Sequence, residues 1–312
     1  MGEATTVATD WSTVATGLRF PEGPVAMDDG SVLLVEIERG TLSRVSPDGA
    51  VDVVADCGGG PNGAAIGPDG SAWITNNGGC FEFIDLGGML VPGPVPPSWT
   101  GGSIQKVDLA SGSVETVYTE CDGRPLRAPN DLVFDGSGGF WFTDHGVRLE
   151  RTNDRTGVFY ATADGSSIRE VIFPLDAPNG VGLSPSGDRV YVAETHTGRV
   201  WSWSVPEPGV AVGSGLLEPH GELLLGLPGH QLLDSLAVDG DGWVCVGTLV
   251  NGGITAVSPD GSAVEHHPVD DALVTNICFG GPALSTAFVT TSATGRLMSG
   301  EWPRPGLRLA NQ

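Results

Sequence analysis

The chain has 312 residues, with 38 acidic against 15 basic side chains and a formal net charge of −23. That balance argues against nucleic acid and anionic membrane surfaces as partners, because phosphate binding needs a basic footprint that this chain lacks. The 48 Gly and 23 Pro, with little 3.6-residue periodicity and no long apolar run, predict many short strands joined by tight turns and no membrane span.

The first segment, Met1 to Leu18, has no basic region followed by an apolar stretch, so it is expected to supply a strand rather than a secretory leader. After it comes Pro21-Glu22-Gly23-Pro24, the first copy of a phrase that recurs as Pro61-Asn62-Gly63, Pro129-Asn130-Asp131, Pro178-Asn179-Gly180, Leu233-Asp234-Ser235 and Thr275-Asn276-Ile277. Each copy puts a carboxylate or carboxamide just before a short apolar run. The copies lie about 40 to 70 residues apart, the length of one four-stranded propeller blade with room for loops. Six copies predict an all-β, six-bladed β-propeller with four antiparallel strands per blade.

Between the second and third copies, Phe81 to Thr100 carries Pro92, Pro94, Pro96 and Pro97 and is expected to form a loop over one end of the barrel. The third unit shows the grammar of a blade: Asn130 to Asp135 as a strand, Gly136-Ser137-Gly138-Gly139 as a turn, Phe140 to Thr143 as the next strand. The same order returns at Val181 to Val192 and at Leu236 to Val246. Trp73, Trp141, Trp201, Trp203 and Trp243 fall in such strands and are assigned to packing between blades. No linker or change of composition divides residues 1–312, so one domain is expected. A segment at about 10–18 would pair with strands between Ala287 and Trp302 and close the last blade, which an open ring would leave as an exposed edge.

Cys57, Cys80, Cys121, Cys245 and Cys278 are odd in number and form no CxxC pair, which predicts neither disulfides nor a zinc site and suggests a reduced, cytoplasmic protein. Many acidic residues are turn residues. Asp29, Asp48, Asp69, Asp122, Asp135, Asp164, Asp239, Asp241 and Asp260 each directly precede a Gly, a tight-turn signal. Glu22 and Asp234 remain, with Asn62, Asn130, Asn179 and Asn276 as carboxamides at the matching place in other blades. The first strand of a blade lines the central channel, so these oxygens should meet at one mouth of it. Two carboxylates with two or more amide oxygens suit a hard divalent cation with positions left for water and substrate. His145 should emerge near the same mouth and contact substrate or carry a proton. His230 precedes the Asp234 strand and is a weaker candidate, while His196, His220, His266 and His267 show no ligand spacing.

From about Leu18 to Met298 the chain resembles the senescence marker protein/gluconolactonase/LRE-like family. The resemblance is carried by Phe20-Pro21-Glu22-Gly23-Pro24, Ala128-Pro129-Asn130-Asp131, Ala177-Pro178-Asn179-Gly180-Val181, Asp234 to Asp239 and Thr275 to Gly281, in order and at blade spacing. It implies a six-bladed propeller related to diisopropylfluorophosphatase, with one divalent ion held by Glu22, Asn130, Asn179 and Asp234. Calcium is the first choice, and Mg²⁺, Mn²⁺, Zn²⁺ or Fe²⁺ also suit oxygen ligands. It further implies that Asp234 is the base or nucleophile of a metal-dependent hydrolase opening a small-molecule lactone. Beside that set, Asn62 is expected to line the pocket, and Asn62, Arg127 and His145 are the expected substrate contacts. Phosphotriester hydrolysis and calcium-binding regulation without catalysis are the alternatives. The family often has Arg two residues before the third-blade Asn, Gly two residues after it and Gly after the fifth-blade Asp. Here Ala128, Leu132 and Ser235 stand at those places, with Arg127 one step further back, and these departures bear on sugar-lactone specificity rather than on the metal set.

Overall fold

Short strands, with no helix among them, make up the residues that the computed structural model describes, 4–312. The strands are short because β-branched and aromatic runs are cut by turns that stop them. In those turns the acidic side chain holds the backbone two residues on: Asp29 accepts from the Ser31 amide (3.0 Å), Asp69 from Ser71 (3.2 Å), Asp164 from Ser166 (3.0 Å) and Asp260 from Ser262 (3.0 Å). Much of the acidity is therefore solvated turn chemistry.

Six antiparallel sheets form the six blades of a β-propeller. Blade 1 comprises Pro21–Ala26, Val32–Glu36, Thr41–Val45 and Val51–Asp56, paired in chain order. The innermost strands of blades 2 to 6 are Pro61–Ile66, Pro129–Phe134, Pro178–Leu183, Leu232–Val238 and Val274–Gly280. Each innermost strand packs beside the next, and the sixth returns to the first, so the channel is ringed by all six. Apolar clusters fill the gaps between blades. Trp73 lies with Phe134 and Phe140 between blades 2 and 3, and Trp141 and Trp203 lie between blades 3 and 4. Trp201 and Trp243 pack at the margins of such clusters.

The ring closes through the N-terminal segment, as Ser12–Thr16 runs antiparallel to Arg296–Glu301 and completes blade 6. A shorter piece, Thr5–Thr6, adds a parallel fifth strand to blade 5 beside Glu265 and His266, a feature the sequence pattern does not announce. Blade 4 departs too: Val210–Val212 and Glu222–Gly226 both pair with Arg199–Glu207.

The C-terminal tail crosses the far mouth of the channel, where Leu307, Leu309 and Ala310 line a small inner cavity of about 80 Å³. Arg304 anchors it, bonding to Asp239 (2.6 Å) and Glu265 (2.9 Å) and stacking 4.1 Å from Trp243. Asp239 is thus more than the turn residue its position suggests. It holds the turn through the Asp241 and Trp243 amides while its other oxygen takes the arginine. At the end of the tail Asn311 donates to the Ile66 carbonyl of blade 2 (3.2 Å).

All five cysteines are free and buried. Burial pushes the Cys57 thiol up to about 11 and Cys278 to about 12, so neither carries thiolate at neutral pH. No helix among the described residues is long and apolar enough to cross a membrane.

Candidate metal centre

The same backbone irregularity occurs at the start of every innermost strand. Pairing with the second strand of the blade slips between Glu22 and Val25, Pro61 and Gly63, Pro129 and Leu132, Pro178 and Val181, Leu233 and Leu236, and Val274 and Asn276. A bulge breaks the strict in-and-out alternation of a strand and re-aims the side chain at the slip. In blades 2 to 5 it takes in Asn62, Asn130, Asn179 and Asp234; in blade 1 it directly follows Glu22, and in blade 6 it takes in Thr275 rather than Asn276. Phe20 and Ala177, just before Pro21 and Pro178, take left-handed backbone with φ of 57° and 51°. Such geometry costs a side-chain-bearing residue about 1 kcal/mol or more, and here it turns the chain into the strand that carries Glu22 or Asn179.

Threonines stitch these starts together from blade to blade. Thr75 of blade 2 accepts from the Gly63 amide (2.8 Å) and donates to the Asn130 carbonyl of blade 3 (2.5 Å). Thr143 of blade 3 repeats this, accepting from the Asp131 amide (3.1 Å) and donating to the Asn179 carbonyl of blade 4 (2.5 Å). Ser292 of blade 6 donates to the Pro21 carbonyl of blade 1 (2.6 Å). Glycine is required where backbones pass closest: a Cβ on Gly63 would lie 2.7 Å from the Asn130 carbonyl oxygen, and one on Gly180 2.5 Å from the Leu236 nitrogen.

Glu22, Asn62, Asn130, Asn179 and Asp234 all line one cavity of about 360 Å³ at the channel mouth, together with His145. Glu22 is 1% exposed; its Oε2 accepts from Asn276 Nδ2 (2.7 Å) and from the Gly23 amide, while Oε1 has no partner. Asn130 Oδ1 is likewise buried without a partner. Asn179 donates to Thr195 Oγ1 (3.1 Å) and accepts from Ser235 Oγ (3.2 Å), which fixes its carboxamide.

Burial raises the Asp234 carboxyl from 3.8 to about 7, and burial together with the Asp234 charge holds Glu22 well above the usual carboxylate range. Asp131, one residue beyond Asn130 and facing the inner cavity, is also raised to about 7 by burial, although the Val181 (3.2 Å) and Leu132 (2.9 Å) amides donate to it. Among the described residues no ion pair involves Glu22, Asp131 or Asp234. Buried carboxylates without cationic partners are costly, and a bound cation is the usual remedy. Unpartnered Glu22 Oε1 and Asn130 Oδ1, with neutral amide oxygens completing the set, fit a hard divalent ion. Among the described residues no three His, Cys, Asp or Glu side chains cluster as metal ligands, so such a centre depends on its asparagines.

The other expected residues separate. His145 lines the cavity with its Nδ1 3.1 Å from the Gly146 carbonyl, and burial lowers its pKa. Arg127 does not line it: its guanidinium pairs with Asp154 (2.8 Å) and lies 4.5 Å from the Trp99 ring, because a carboxylate and an aromatic face meet it on the outer side. His230 is exposed and outside the lining. In blade 6 the residue at cavity level is Thr275, and Asn276 sits one step inward, orienting Glu22 instead of joining the ring of matching carboxamides. His196 was not singled out by spacing, yet it lines the cavity beside His145, ring centroids 5.9 Å apart, with its pKa lowered to about 4 by burial and by His145. Both imidazoles are neutral at pH 7.

Phe81 to Thr100 does cover this mouth, but as a hairpin: Phe83–Asp85 pairs with Leu90–Pro92, Leu90 donates to the Ala293 carbonyl of blade 6 (2.8 Å), and Phe83 packs 4.9 Å from Phe20. Phe81, Pro92 and Val95 face the cavity, as do Val147 and Arg148 from the loop after Asp144.

Residues 20–293 match the family model described as SMP-30/Gluconolactonase/LRE-like region. The gluconolactonase of Zymomonas mobilis is 26% identical, over 92% of this chain and 80% of its own length. Among solved structures, the gluconolactonase XC5397 of Xanthomonas campestris superposes with a TM-score of 0.75 at 20% identity, covering 95% of this chain and 90% of that one. The calcium-binding protein regucalcin of Agrobacterium tumefaciens gives 0.74 at 17% identity, covering 98% and 100%. At such identities the two structures share the fold.

Proposed function

The chain belongs to the SMP-30/gluconolactonase/LRE-like family, and from that premise we propose that it is a divalent-metal-dependent lactonase whose ion is held by Glu22, Asn130, Asn179 and Asp234. The observation that carries this reading is the meeting of two carboxylates and two carboxamides from four blades at one cavity, with Glu22 Oε1 and Asn130 Oδ1 unpartnered. Bound there, the cation, calcium before magnesium, manganese, zinc or iron, would polarise the lactone carbonyl and favour negative charge on its oxygen.

The chain's own groups do the rest. Asp234 is the base: its carboxylate takes a proton from water as the water oxygen bonds to the carbonyl carbon. The ring C–O bond then breaks, and the proton goes to the departing alkoxide, leaving a hydroxy acid. Asn276 holds Glu22 by its Oε2, and Thr195 and Ser235 hold Asn179, so the oxygens need little rearrangement. Asn62 and His145 contact the substrate beside this set. The hairpin limits water on one side, and the tail limits it on the other.

The gluconolactonase relatives support the reaction class, and the calcium-binding structural relative supports the choice of ion. The test is acid release from a panel of lactones, and loss of an organophosphate panel, by protein stripped with chelator and then restored with calcium. Hydrolysis of lactones that disappears on stripping and returns with calcium is expected. Full activity after exhaustive stripping would overturn the metal dependence, turnover of phosphotriesters alone would move the protein to that class, and tight calcium binding with no hydrolysis would make it a binding protein.

A further inference from the structure

The cavity above the oxygen ligands has two unlike parts. Its floor is polar and committed. Its wall is apolar, built by Phe20 and Ile37 of blade 1, Phe81 and Val95 of the hairpin, and Leu249 and Leu273 from blades 5 and 6. The polar side chains that do reach the wall are mostly engaged. Thr195 accepts from Asn179, Thr275 shares its hydroxyl with Ser292 (2.6 Å) and Thr290 (2.9 Å), and Arg148 pairs with Asp176 (3.0 Å) at the rim. What remains is the Asn62 carboxamide and, on one side, two neutral imidazoles, His145 and His196.

A polyhydroxylated lactone entering such a space would give up water at each hydroxyl and find few groups to replace it. A lactone bearing an alkyl or aryl substituent would bury that substituent against carbon. The volume, about 360 Å³, is at the small end for ligand pockets and holds one ring with a modest side chain. Resting on the lactonase reading, we infer that the substrates of this protein are lactones with an apolar substituent, the ring carbonyl at the oxygen ligands and the substituent on the wall of the hairpin and blades 1, 5 and 6.

Three δ-lactones with the same ring test this on the calcium-loaded full chain: unsubstituted δ-valerolactone, pentyl-bearing δ-decalactone and glucono-1,5-lactone, with kcat/KM read from acid release above the spontaneous rate. δ-Decalactone is expected to exceed both others by about tenfold or more, since even one methylene in an apolar pocket is worth on the order of tenfold. Phe81→Ser should shrink the ratio of δ-decalactone to δ-valerolactone several-fold. Glucono-1,5-lactone as the equal or better substrate, or an unchanged ratio in Phe81→Ser, would overturn the inference. Should no lactone be hydrolysed, thermal shifts with 2-pentylcyclohexanone and cyclohexanone separate the two readings. Greater stabilisation by the pentyl compound would keep the apolar site and discard the lactonase, and no difference would discard both.

Discussion

Replacing Thr143 by valine keeps the shape of a fully buried side chain and removes one hydroxyl that joins two ligand-bearing strands. That hydroxyl accepts from the Asp131 amide at 3.1 Å and donates to the Asn179 carbonyl at 2.5 Å, at a place where the strand ladder itself skips from Pro129 to Leu132. Without it a donor and an acceptor lose a partner in the protein interior. Each such group costs about 1–3 kcal/mol, so Thr143→Val should destabilise by about 2–4 kcal/mol after partial relaxation. In a chain of this size that is a fall in Tm of about 3–6 °C. The strand starts it releases also carry Asn130 and Asn179, so calcium affinity should weaken by about tenfold, the usual effect of removing a group that orients metal ligands. Differential scanning calorimetry and a calorimetric calcium titration read the two effects, and Thr143→Ser, which keeps the hydroxyl, should recover most of both. If Thr143→Val melts with the parent and binds calcium equally well, the hydroxyl bonds carry no strain of the site and the reasoning fails. A fall in Tm with calcium affinity intact would limit the hydroxyl to holding blades together.

Asp234→Asn keeps a coordinating oxygen and loses the basic carboxylate, so calcium should still bind while turnover falls by about a hundredfold to ten-thousandfold. Glu22→Gln should instead weaken calcium binding and regain activity at high calcium; near-normal turnover in calcium-saturated Asp234→Asn would reduce Asp234 to a ligand. His196, lowered to about 4 from 6.5, takes its proton more readily in the unfolded chain, so its contribution to stability is complete above about pH 6.5 and is lost as pH falls towards 4. Calcium-loaded His196→Gln should show a shallower decline of Tm over that window, and an identical decline would show that the imidazole does not contribute. Alkylation of unfolded, unreduced protein should label all five cysteines in mass spectra, and a missing pair of labels would reveal a disulfide.

What the sequence determined by itself is the repeated unit. Short β-branched and aromatic runs, Asp-Gly turns and a spacing of about 40 to 70 residues are local properties, and they were enough to count six blades and to place an oxygen at the head of each innermost strand. Even the closing strand was legible, because a ring of sheets needs a partner for its last edge, and Ser12–Thr16 supplies it. The direction of each side chain was not legible. A bulge at every strand head decides which residue faces the cavity, and a shift of one residue puts Thr275 there and sends Asn276 to Glu22. Arg127 follows Asp154 and Trp99, which lie 27 residues after it and 28 before it, away from the substrate side. In the chain Asp131 resembles an ordinary strand residue, and Asp239 and His196 resemble ordinary turn or loop residues. Burial beside Val181, the ion pair with Arg304 and the approach to His145 give them their character. Each of these depends on groups brought close by closing the ring, and pKa, orientation and pairing respond to distance in space, which the order of residues along a strand does not encode.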